Sequence, residues 1–454
     1  MKKELIFMLG AAVLGTVCFS NTTADKVSAN TSGDYKYVIT GKQKKTCTIR
    51  KYTGKDKDVT VPEKLDGYTV TRIGNSAFAH NKKIQSIKLP NHITVIGEKS
   101  FAGCTNLKDI IFSPKLHTVK KNAFKSCKHL NSIKLPDSVK SIGKYAFYNC
   151  RKLESIYIPE NLGETNLDSV FERDYLTNIT VAEGNKYYDS RDNCNAVIET
   201  TSDKLIFGAK NSTVPDSVKI IGEDAFYLCH TIKEITIPAS VKTIEDNAFY
   251  QCGSLEKVNF SEGLKTVGDG AFYGCDSLKD IKLPDSVETV EEFAFVCCYK
   301  NTSIYIPKNL GKTKLSSTFE FEGVTKITVA EGNKFYDSRD NCNAVIETAS
   351  NTLVMGCDKT LIPDTVKVIG ENAFIDRTSD LVIPEGVEKI SEDVFGYNCM
   401  IEKIVLPVSL KEIGDSGYYV KTVNYRGSKD QWEKIKLSDP DWVKDVKINY
   451  NYKG

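Results

Sequence analysis

Apolar and polar positions along the chain repeat in a rung of 23 residues, for example Leu130-x-x-Ile133-Lys134-Leu135-Pro136-x-x-Val139-x-x-Ile142-Gly143-x-x-Ala146-Phe147-x-x-Cys150. The alternation of Ile133, Lys134 and Leu135 predicts a short strand with two side chains inward and one outward. Pro136 stops it, because proline has no N–H to give to a ladder. Val139 and Ile142 supply a second inward pair on the return side. Ala146-Phe147 is assigned to a short helical turn whose ring plugs the core between rungs. Phe78, Phe101, Phe124 and Phe147 keep the 23-residue interval, and Phe226, Phe249, Phe272 and Phe295 keep it again. A fixed period in this range predicts a solenoid, in which no rung buries its own apolar face and stacking of neighbours makes the core.

A longer period lies over the first. The stretch from Ile179 to Phe226 recurs from Ile327 to Phe374 with 33 of its 48 positions identical, an offset of 148 residues that also maps Phe78 onto Phe226. The array therefore reads as a duplicated block, 78–225 and 226–373. A partial third copy follows, with Phe395 after 21 residues and Gly417-Tyr418 in the next Ala-Phe slot. Open solenoid ends expose core and unpaired backbone, so caps are expected on both sides. Residues 30–67 read as an N-terminal β cap, with a hairpin from Tyr35 to Tyr52. The solenoid itself is assigned to 68–425. Residues 426–454 read as a C-terminal α/β cap that holds Trp432 and Trp442, a capping box in Ser428-x-x-Gln431 and a last strand from Val446 to Tyr450.

Composition changes this picture little, and charge narrows it. Lys and Arg number 61 against 59 Asp and Glu, so no net field draws the chain to nucleic acid or an anionic membrane. Lys2 and Lys3 precede an uncharged apolar run from Leu5 to Phe19, with small residues at Ala24 and Ala29. Residues 1–29 therefore read as a secretory signal peptide, since 15 residues fall short of the roughly 20 that a spanning helix needs. No membrane span is expected after its removal. Fourteen cysteines in an exported chain would suggest disulfides. Their spacing points elsewhere: Cys104, Cys127 and Cys150 recur every 23 residues, as do Cys229, Cys252, Cys275 and Cys298. A ladder of buried thiols is the favoured reading, with cross-links between neighbouring rungs as the alternative.

At Ile-Gly-x-x-Ala-Phe-x-x-Cys, Leu-x-x-Ile-x-Leu-Pro and Asp-Ser-Arg-Asp-Asn-Cys-Asn-Ala-Val-Ile-Glu-Thr the chain resembles the BspA-like leucine-rich-repeat family, over about Tyr68 to Tyr425. The resemblance implies a leucine-rich-repeat solenoid of short parallel strands and short helical turns, secreted or displayed at a cell surface. It also implies adhesion to a protein or glycan ligand outside the cell, such as host extracellular matrix or another cell. In the slot where other leucine-rich repeats place an Asn or Cys to satisfy turn backbone, this chain has Cys104 and its ladder partners.

Candidate chemistry is sparse. The recurrent polar block Asp189 to Cys194, copied at Asp337 to Cys342, lacks the Gly at position six and the Glu at position twelve of a calcium loop. No histidine neighbours Cys194 in sequence to serve as its base, and Asx-rich residues make tight turns unaided. The five histidines show no paired-ligand spacing. No catalytic, cofactor-binding or metal-binding residue is therefore assigned, and no enzyme activity is expected. Binding is instead placed on the outward centres of the strands, at Lys134, Tyr157, Thr236, Asn259, Lys282 and Tyr305, where polar and aromatic side chains suit protein recognition. A spacer role without a ligand and, more remotely, a secreted hydrolase are the competing readings.

Overall fold

The computed structural model describes residues 29–172, 175–319, 323–374, 380–395, 399, 401–415, 420–439, 441, 444 and 446–454. The signal segment up to residue 28, Gly417-Tyr418 and Trp442 lie outside the described residues.

Each rung has three sides. The first carries the strand read from Ile133-Lys134-Leu135: Ser132–Lys134 pairs parallel with Ser155–Ile158, and that strand with Asn178–Val181. The return side is also a strand. Ser141–Ile142 continues a parallel ladder with Thr118–Val119 and Val95–Ile96, so two sheets enclose the core. On the third side the Ala-Phe segments are hydrogen-bonded turns that bond to one another between rungs. Phe101 N–H donates to the Ala123 carbonyl at 2.8 Å and Phe124 N–H to that of Ala146 at 2.8 Å. Left-handed residues at Lys99, Asn122 and Tyr145 (φ 54°, 56° and 61°) break the succession of helical dihedrals. Among the described residues α-helix is confined to Leu315–Thr318 and Lys429–Trp432.

The buried phenylalanines stack along the axis. Phe78, Phe101, Phe124 and Phe147 have successive ring centres 4.9, 5.0 and 5.2 Å apart, and Phe226, Phe249, Phe272 and Phe295 repeat this at 4.8, 4.9 and 5.1 Å. Six cysteines of the ladder, Cys104, Cys127, Cys150, Cys252, Cys275 and Cys298, donate their S–H to the phenylalanine carbonyl of the rung before. Cys104 reaches Phe78 at 3.1 Å, Cys127 reaches Phe101 at 3.2 Å and Cys275 reaches Phe249 at 3.3 Å. The thiol thus fills a small apolar slot and satisfies a buried carbonyl at once. Burial pushes Cys104 and Cys150 up to about 12, and all thirteen cysteines among the described residues are thiols.

An antiparallel unit opens each run of parallel stacking. Tyr35–Gly41 and Thr46–Tyr52 pair antiparallel before the latter pairs parallel with Tyr68–Ile73. Val197–Glu199 and Lys204–Phe207 repeat the arrangement ahead of Ile220–Ile221, and Ala344–Glu347 and Thr352–Gly356 repeat it ahead of Val368–Ile369. A Cβ on Gly208 or Gly356 would collide with the ring of Phe226 or Phe374. Glycine there admits the first ring of the next run. The core divides at the same places, into clusters that end at Ala209, run from Cys194 to Cys357, and begin again at Cys342.

Unfolding is therefore expected to proceed run by run, as in other arrays held by nearest-neighbour contacts. Phe249→Ala should cost about 3–5 kcal/mol and speed hydrogen exchange across residues 210–340 while leaving residues 70–160 protected. Uniform loss of protection along the chain would show a single cooperative unit. In native alkylation Cys297, which is only partly buried, should react ahead of the buried ladder thiols.

Candidate binding face

The recurrent polar block is built as architecture. Arg191 grips Asp189 with two prongs, Nε to Oδ1 at 2.8 Å and Nη2 to Oδ2 at 2.6 Å, and Nη1 reaches Asp203 at 2.7 Å. In the second copy Arg339 grips Asp337 at 2.8 and 2.6 Å, and Asn351 takes the place of Asp203 at 2.9 Å. Asp192, Asn193 and Asn195 sit at φ 57°, 51° and 56°, a region that Asn and Asp enter more readily than most side chains. Asn195 then imitates a missing strand. Its Nδ2 donates to the Thr177 carbonyl at 3.0 Å and its Oδ1 accepts from Ile179 N–H at 2.6 Å, which closes the edge of Asn178–Val181. Asn343 treats Thr325 and Ile327 in the same way at 3.0 and 2.7 Å. Burial raises the pKa of Cys194, the opposite of what activates a thiol nucleophile.

The six outward residues occupy one slot of the rung but form three pairs in three sheets. Lys134 and Tyr157 are register partners, with the ammonium 5.6 Å from the ring centre. The Tyr157 hydroxyl donates to Asp137 at 2.9 Å. Lys282, Tyr305 and Asp285 repeat this at 5.6 and 2.8 Å. Burial, together with the acceptor carboxylate, pushes both phenols up to about 12. Thr236 and Asn259 form the middle pair, where Asn259 Nδ2 donates to Thr236 Oγ1 at 3.3 Å and to Glu234 at 2.8 Å. The same slot also holds Ile111, 60% exposed opposite Lys88, and Val382, 52% exposed opposite Val405. A count of 23 back from Lys134 lands on Ile111, so a signal for it exists. The rung Ile110-Ile111-Phe112-Ser113 lacks the Leu-Pro ending and hides it. Among the described residues no group of three His, Cys, Asp or Glu is arranged to hold a metal ion. The arrangement therefore offers recognition chemistry: a cation, a phenol and apolar edges on a rigid sheet.

The sequence pattern of the BspA type leucine rich repeat region, in 6 copies, matches residues 71–195, 207–336 and 354–435. The chain belongs to the BspA-type leucine-rich-repeat family. The stretches between the matched segments fall on the second and third antiparallel units, where the rung is replaced. This BspA-type solenoid resembles a leucine-rich repeat protein from Bacteroides ovatus, at 23% identity over 93% of this chain and 99% of that one, with a TM-score of 0.50. A leucine rich cell surface protein from Faecalibacterium prausnitzii aligns at 19% identity, 90% and 98% coverage and TM-score 0.37. Pneumococcal vaccine antigen PcpA aligns at 18% identity over 94% of this chain and 99% of that one, with a TM-score of 0.48. At such identities the likeness bears on the fold alone. No curated protein matches the chain. No helix among the described residues is long and apolar enough to cross a membrane.

Two measurements check this geometry. Asn195→Ala leaves a strand-edge N–H and a carbonyl without their amide and should cost about 1–3 kcal/mol in denaturant titration. Tyrosine ionises near 10 in an unfolded chain. The raised values of Tyr157 and Tyr305 thus contribute stability below pH 10 that is lost as pH climbs towards 12. Asp137→Ala combined with Asp285→Ala should bring two phenols back towards ordinary titration in phenolate absorbance; an unchanged curve would remove these carboxylates as a cause.

Proposed function

We propose that this BspA-type protein is exported and binds a protein or glycan ligand outside the cell through its strand-bearing face, as an adhesion protein without catalysis. The observation that carries the reading is the twinned Lys-Tyr-Asp arrangement at Lys134, Tyr157 and Asp137 and at Lys282, Tyr305 and Asp285. Its phenols are fixed before any ligand arrives, so little side-chain freedom is lost on binding. Tyrosine anchors of this kind dominate many interfaces. Ile111 and Val382 add apolar area to the same slot. The cationic start and apolar run at the N-terminus support export, and the raised pKa of Cys194 and Cys342 weighs against a thiol enzyme.

Surface binding of the chain to arrays of matrix proteins, glycans and intact cells tests the proposal. At least one saturable ligand is expected, with affinity lowered about tenfold or more by Tyr157→Ala combined with Tyr305→Ala. Uniform failure to bind would leave the solenoid a spacer, and a double variant that binds like the parent would move the site off this face.

A further inference from the structure

The turn sides of the two blocks carry opposite charge. In the first block they comprise residues 74–83, 97–106, 120–129 and 143–152, and their counterparts 148 residues on are 222–231, 245–254, 268–277 and 291–300. The first four segments hold ten Lys or Arg side chains against Glu98, a net +9 with histidine neutral. The second four hold eight carboxylates against Lys300, a net −7. Buried positions hardly change across the same copies: Ala123, Phe124 and Cys127 become Ala271, Phe272 and Cys275. The exposed slots are the ones that invert, with Asp269 in place of Lys121, Asp276 in place of Lys128 and Glu292 in place of Lys144. A duplication starts with identical charges in both blocks. Their near balance of +2 over the whole chain therefore conceals two strong local fields.

Neither field is cancelled within its own face. Asp246, Asp269 and Glu292 follow one another at successive rungs, and burial together with the charges of Asp246 and Glu292 raises the pKa of Asp269. Lys204 answers Glu245 at 2.5 Å, and Lys99 answers Glu98 at 3.7 Å. Each face also shows aromatic edges among its charges: Tyr148 on the first, Phe293 and Tyr299 on the second, all exposed. The rung spacing agrees too, since the ring stacks beneath the two faces run at 4.9 to 5.2 Å and 4.8 to 5.1 Å. Columns of opposite charge thus run at the same rung spacing on the two faces.

We propose that these turn sides are the two halves of one interface, in which the basic face of one chain docks on the acidic face of a second copy. The surface is a different side of the rung from the strand face, so this proposal and the adhesion reading stand or fall separately. Complementary fields of this kind steer and orient association, and salt screens them within about 10 Å at 0.1 M.

Sedimentation of the chain tests the inference. Self-association is expected at low ionic strength, weakened about tenfold or more at about 0.5 M salt. Lys121→Glu with Lys144→Glu should leave a monomer, and so should Asp269→Lys with Glu292→Lys. An equimolar mixture of the two variants should associate again, because each retains intact the face that the other has weakened. All four side chains are exposed, and circular dichroism checks that each variant folds. A parent chain that stays monomeric at low salt up to about 100 µM overturns the proposal, as do reversed variants that associate like the parent. Capture of heparin by a monomeric parent through Lys121 and Lys144 overturns it as well and assigns the basic face to a polyanion.

Discussion

The structure depends on one repeat distance being shared by three kinds of contact. Phenyl rings stack about 5 Å apart, and parallel strands lie about 4.8 Å apart. The turns in between bond rung to rung at the same interval, as Phe101 does to Ala123. Because ring, strand and turn agree, a rung cannot slip against its neighbour without breaking all three. The thiol of the cysteine slot adds a fourth constraint, since Cys127 must meet the Phe101 carbonyl one rung back. This explains why the core positions of the rung stay apolar through duplication, as where Leu89 becomes Ile237, while many outward positions change character.

Much of this was legible in the sequence where the period spoke for it. Ile133-Lys134-Leu135-Pro136 announces a strand and its end, and the outward slots follow by counting. The return strand was harder to see, because Ser141–Ile142 is too short to alternate and pairs only with rungs 23 residues away. The Ala-Phe segment reads in sequence as a helical turn. A single left-handed residue such as Tyr145 was not foreseeable from its type, since tyrosine rarely adopts that backbone. At the candidate site, Tyr157 was found by its slot. Its clamp on Asp137 was not, because contacts between rungs join residues 20 apart that no local pattern links. The polar block reads in sequence as a tight turn, and its edge-closing role emerges only when Asn195 is seen against Thr177 and Ile179.

The rung separates structure from recognition by geometry. Inward positions fix the fold, the strand side offers a rigid amphipathic slot, and the turn side carries charge. A solenoid of this kind lets each side change without disturbing the others. The twin Lys-Tyr pairs show outward residues that were kept across the duplication, and the exchanges of Lys144 for Glu292 and of Ile111 for Asn259 show ones that were not.

The edge-closing amide of Asn195 has a consequence for how such chains lengthen. It ends one sheet in the same few residues that begin the next run, so a block of 148 residues carries its own finish and its own start. Copying that block in a gene joins a finished edge to a fresh start and creates no junction that the fold has not already solved. The two near-identical polar blocks are then the seams of that growth, preserved because a poor seam would expose an open sheet edge to every neighbouring molecule.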